Sequence, residues 1–189
     1  MKIKEKIMSN RNDIVIFIAL VLIAVLGRLL PHPANLTPVG AIALFGGYYF
    51  KKQSKIILPL LAMFISDCCL GFYDLKLMLI VYFCIFLNAI LGSFLANRKL
   101  LGKAAGFSVL GSIIFFTVTN FGVWAFSSWY PHTAIGLAYC YYLGLPFFRN
   151  TLLGDLFFTL SIFSVYQLIY NYARANQSAW LADGNHGNN

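Results

Sequence analysis

The sequence predicts an all-α integral membrane protein, a bundle of six transmembrane helices with both termini on the cytoplasmic side. Three observations predict it. The chain of 189 residues is 60% hydrophobic and only 11% charged, more apolar surface than a water-soluble fold can hide. Its apolar stretches recur at lengths near the roughly 20 residues a helix needs to cross the hydrocarbon. Its 14 Lys and Arg residues sit in short clusters between those stretches. A net charge of +8 could suggest nucleic acid, but clusters of this kind write membrane topology, so a nucleic-acid partner is excluded.

Taken in order, residues 1–12 form a basic leader to the first span, with Lys2, Lys4, Lys6 and Arg11. The apolar run that follows, to Leu30, is too long for a cleaved signal and lacks a small-residue cleavage site, so it reads as a retained helix. Further runs occupy about 56–72, 76–96, 105–126 and 150–172. A sixth, about 38–50, reaches only some 20 Å at ~1.5 Å per residue, so loop must meet it inside the membrane's thickness. That loop is Pro31 to Pro38, where Thr37 is placed to cap the helix and Pro38 to start it. The six-helix domain spans 13–174, and the Asn- and Gly-rich tail 175–189 reads as disordered and cytoplasmic.

Orientation follows from the cations. One side of the alternating spans takes Lys2, Lys4, Lys6, Arg11, Lys51, Lys52, Lys55, Arg98, Lys99, Lys103 and Arg174, leaving Arg28, Lys76 and Arg149 for the other. The basic side is cytoplasmic. Small residues at helical spacing, Gly40, Ala43 and Gly47, then Asn88, Gly92 and Ala96, read as close-packing stripes. The segment Ser127–Phe148, rich in Trp129, Tyr130, Tyr139, Tyr141 and Tyr142, reads either as an interfacial aromatic belt or as a lid over an outward pocket.

Charged and polar groups at membrane depth are costly and therefore informative. Arg28, Asp67, Arg149 and Asp155 all fall in the outer half. Thr117, Asn120 and Trp124 form one helical stripe, and Thr151, Asp155 and Thr159 another. With His32 and Asn35 of the loop and Tyr139 of the aromatic segment, they compose a candidate outward-facing binding site. The competing reading is that Arg28 or Arg149 simply pairs with Asp67 or Asp155 and locks the bundle. Cys68 and Cys69 follow Asp67, and a thiolate there would suit a soft metal centre carried within a ligand. Cys84 and Cys140 read as inert. No phosphate-binding loop is present, so any ATP-driven step needs a separate protein.

The stretch Arg28 to Ala41, then Leu44-Phe45-Gly46-Gly47, Ser66-Asp67, Leu70-Gly71-Phe72, Thr119 to Trp124 and Gly144 to Phe148 resembles bacterial transport proteins related to energy-coupling-factor (ECF) substrate-binding (S) components. It looks most like the solitary S components of cobalamin uptake. The resemblance implies a multi-pass protein of the bacterial inner membrane, not an enzyme, with no cofactor of its own, that holds a small-molecule substrate at its outer face. It implies cobalamin as the transported ligand and one of Cys68 and Cys69 as a ligand to its cobalt. The ECF-type energising module would be its partner, although the docking patch of such components, alanines four apart on the first helix, reads here as Ala19, Ile23 and Gly27. Two other classes compete. Tyr73-Asp74 and Leu153-Gly154-Asp155 echo intramembrane aspartyl proteases, with Leu152 where a glycine is expected. A non-transporting membrane scaffold or assembly factor is the other.

Overall fold

The computed structural model describes residues 10–50, 53–96 and 99–184, and these form six helices and no strand. They are α1 (Asn10–Leu29), α2 (Val39–Tyr49), α3 (Ser54–Leu70), α4 (Leu75–Ser93), α5 (Leu100–Phe126) and α6 (Ala134–Gly184). Four of them, α1, α4, α5 and α6, are long and apolar enough to cross a membrane. Their outward faces are apolar: Ile14, Ile18, Leu22 and Leu26 on α1, Leu75 and Leu79 on α4 and Leu168 and Ile169 on α6 are all exposed. Water would not tolerate so continuous an apolar exterior, whereas lipid requires it. The protein is a helical membrane protein.

The short helix α2 is the hub. Its 11 residues reach about 16 Å and ten of them are buried, because α1, α3, α4, α5 and α6 all pack around it. Enclosed by other helices, it has no need to match the bilayer's thickness. Close approach is what the small residues provide: a Cβ on Gly47 would collide with the Ala89 carbonyl, and one on Gly92 with the Leu44 carbonyl. Of the expected stripes Gly47 and Gly92 thus meet at the α2–α4 crossing, whereas Gly40 faces Asp155 of α6, Asn88 faces Gly111 of α5 and Ala96 lies beyond the end of α4. At the opposite end from the site, Phe45, Tyr48, Phe163 and Tyr166 pack ring against ring.

Three expectations need correction. Thr37 does not cap α2: Pro38 holds the N-cap position and accepts from Ile42 N (2.9 Å), with no side-chain cap. The segment 127–148 is not a loop-like lid from Ala134 on, because Thr133 Oγ1 accepts from Gly136 N (3.1 Å) and starts α6 there. Pro146 lies inside α6 without ending it, since its ring removes a single backbone donor and surrounding packing retains the rest. Finally, α6 runs to Gly184, ten residues into the tail expected to be disordered, and α1 starts at Asn10; residues 1–9 and 185–189 lie outside the described residues.

Candidate functional site

A cavity of about 410 Å3 opens at the end of the bundle where the loops 30–38 and 71–74 lie. Arg28, His32, Asn35, Thr37, Thr151 and Asp155 line it, with Gly40, Met63, Tyr73, Val81, Asn88 and Phe115 completing the wall. The volume falls within the range usual for small-molecule sites.

The Pro-rich loop is folded to form the rim. Leu36 N donates to Pro33 O (3.0 Å), closing a turn in which Asn35 takes a left-handed conformation, φ 65°, a region Asn tolerates better than most residues. Asn150 Nδ2 of α6 donates to Ala34 O (3.0 Å), and Gly154 leaves room for Leu36 and Thr37 to lie against α6. His32 Nδ1 lies 2.6 Å from Leu30 O, which holds the ring at the exposed lip.

On one wall, Arg28 leaves the C-terminal turn of α1 and reaches α3. Its Nη2 lies 2.7 Å from Asp67 Oδ1, and its Nη1 donates to Ser66 Oγ and to Met63 O (3.2 Å). Tyr82 of α4 donates to the second oxygen of Asp67 (2.8 Å). Asp67 is 1% exposed and sits behind the wall, holding Arg28 in place. Tyr73, in the loop after α3, lines the cavity, and burial together with the Asp67 carboxylate pushes its phenol up to about 12, so the hydroxyl remains a donor.

On the facing wall Asp155 is 7% exposed. Its Oδ2 accepts from Ser112 Oγ of α5 (2.7 Å), and its Oδ1 lies over Gly40, where a Cβ would collide with it. Behind it, Thr159 Oγ1 donates to Ser108 Oγ (3.3 Å). The stripe Thr151, Asp155 and Thr159 is therefore buried along its whole length.

The sequence-derived set divides. Arg28, His32, Asn35 and Asp155 meet at the cavity; Asp67 supports it from behind. Asn120, Trp124, Tyr139 and Arg149 do not line it. The Asn120 carbonyl accepts from Cys140 Sγ (3.4 Å) and Trp124 Nε1 donates to Pro131 O (3.0 Å), so this stripe braces α5 against the start of α6 rather than a ligand. Tyr139 and Arg149 are exposed.

Cys68 and Cys69 are also exposed and absent from the cavity wall. Successive helical residues turn by about 100°, and because Ser66 and Asp67 occupy the buried face, the next two point away from it. The expected thiolate ligand inside the pocket is thus corrected. Among the described residues no group of three His, Cys, Asp or Glu side chains is placed to hold a metal ion. The carboxylates of the protease-like motifs are separated as well: Asp74 accepts from Leu77 N (3.0 Å) as the N-cap of α4 and does not line the cavity with Asp155.

The sequence reading missed Ser112, Tyr82, Ser66, Tyr73 and Gly40 as parts of the site. Ser108 and Ser112, four apart in the first half of α5, were the available signal, since a hydroxyl pair on one face at membrane depth needs a buried partner.

A family model described as a family of unknown function (DUF6580) matches residues 8–178. The chain belongs to that family. The matched segment contains the whole cavity, including the rim loop and the α6 stripe. No curated protein and no solved structure is similar to the chain.

Proposed function

We propose that this DUF6580 protein is an S-component-like transport protein that crosses the bacterial inner membrane six times, with both termini inside, and takes up a small molecule at its outer face. The observation that carries the reading is the cavity: polar side chains from α1, α4, α6 and the rim loop converge on an open volume of about 410 Å3 rather than pairing completely with one another. A scaffold has no need of such a space. The six-span count rests on the alternation of cationic loops and on α3, whose 17 residues reach about 26 Å, close to the ~30 Å hydrocarbon thickness.

Cobalamin is the ligand named by the resemblance. The outward-facing thiols and the modest cavity favour a smaller molecule, bound by the polar walls. The docking patch expected for an ECF module is partly occupied within the chain, because Gly27 packs against Pro38, while Ala19 and Ile23 remain exposed. This supports a component that works alone or with a divergent energising partner.

The test is ligand recovery. The full chain, purified from its membrane and transferred to lipid nanodiscs, is extracted and the extract identified by mass, alongside a Val81→Trp variant that fills the cavity. A small molecule retained by the wild type and lost from the variant supports uptake. Equal recovery from both, or none from either after incubation with cell extract and with cobalamin, supports the scaffold reading instead. An absorption spectrum after cobalamin incubation reports a bound corrinoid directly.

A further inference from the structure

The charges on the cavity wall do not balance. Arg28 is held by Asp67, Ser66 and Met63 O, and Asp67 is compensated by Arg28 and Tyr82. That pair presents no net charge to a ligand. Asp155 has no such compensation: Ser112 donates to Oδ2, while Oδ1 has no hydrogen-bond partner among the described residues and is not sealed into the protein interior. The residue is nonetheless 93% buried, by its 7% exposure.

The neighbouring groups offer oxygens rather than protons. One helical turn before Asp155, Thr151 lines the cavity, and because its hydroxyl proton is given to Phe147 O (2.9 Å), its oxygen has only lone pairs left to offer. Gly40, lacking a side chain, lets Oδ1 lie close against the α2 backbone without gaining a hydrogen-bond donor there. A nearly buried carboxylate with one oxygen unpaired and a hydroxyl acceptor beside it lacks one thing, a positively charged partner.

Resting on the transport reading of this cavity, we infer that its ligand is a small monocation whose charged group sits against Asp155 Oδ1 and Thr151 Oγ1. An organic ammonium and an alkali ion share that chemistry. The cavity is larger than a bare alkali ion requires and has apolar surface from Met63, Val81 and Phe115, which an organic body would cover.

The experiment measures thermal unfolding and calorimetric binding of the full chain in nanodiscs with named probes. These are benzylammonium and sodium ion as cations, benzyl alcohol as the neutral control and benzoate as the anion. The expected result is saturable binding of benzylammonium, with benzyl alcohol weaker by roughly ten- to a hundredfold, the worth of a hydrogen bond to a charged group. Asp155→Asn, which can still accept from Ser112, should remove that preference, and Cys68→Ser should not. Because the cation-to-isostere comparison is made on the wild type, poor folding of the variant leaves the test intact. Saturable binding by sodium alone assigns the charge to an alkali ion and overturns the organic source. Equal or tighter binding of benzyl alcohol or benzoate overturns the charge inference while leaving a ligand-binding cavity. Binding of no probe overturns the inference, and the ligand recovered in the nanodisc extraction decides separately whether the transport reading survives.

Discussion

Arg28 and Asp67 show why the site could be anticipated only in part from individual residues. A cation and a carboxylate at membrane depth announce themselves, and the sequence supports either pairing or ligand binding; the structure has Arg28 doing both, held by Asp67 while lining the cavity. Removing one partner of a buried pair leaves an uncompensated charge, typically at a cost of about 3–5 kcal/mol, whereas replacing both by apolar groups is often neutral. Asp67→Ala should therefore lower the thermal midpoint in detergent sharply, and the double replacement Arg28→Met with Asp67→Leu should recover most of the loss. A double variant as unstable as the single one would mean that the pair itself, not its balance, supports the bundle. The cysteines were misplaced for a related reason: their depth was legible from sequence, but the face they occupy depends on which side of α3 packs inward.

At the scale of elements, spacing revealed more than single residues did. The apolar runs anticipated the helices, and the small-residue stripes anticipated the α2–α4 crossing, where Gly47 and Gly92 bring two backbones together. What spacing could not reveal was that the aromatic segment continues as helix into α6, because Pro146 and the tyrosines are compatible with either loop or helix until Thr133 supplies the cap. Gly47→Ala requires the backbones to separate, and overpacking of this kind costs about 1–3 kcal/mol. Gly102→Ala is a matched control on α5, since a Cβ there meets nothing, and it should be neutral or slightly stabilising. Unfolding midpoints for the two variants check the crossing: equal effects would show that α2 and α4 are not in close contact in the folded protein.

For the whole molecule, the account joins two independent features. Loop charge supports the proposed orientation, with the cation-poor end outward, and the fold puts the cavity at that cation-poor end, where α1 and α3 finish and α2 and α4 begin. The charge pattern was fully legible in the sequence. The cavity was legible only as a convergence of polar residues, of which Asn120 and Trp124 proved to brace the α5–α6 contact and Tyr139 and Arg149 to be exposed, because sequence separates helix faces but not which neighbour each face meets. The direct measurement is the sidedness of a cavity residue, made on Thr151→Cys in a chain whose Cys68, Cys69, Cys84 and Cys140 have been replaced. A small membrane-impermeant thiol reagent applied to intact cells should label Thr151→Cys and leave Gln53→Cys, in the cationic loop between α2 and α3, untouched until the membrane is permeabilised. Adding Val81→Trp should suppress the labelling of Thr151→Cys by filling the cavity. Labelling of Gln53→Cys in intact cells, or of Thr151→Cys only after permeabilisation, would contradict an outward-facing binding site.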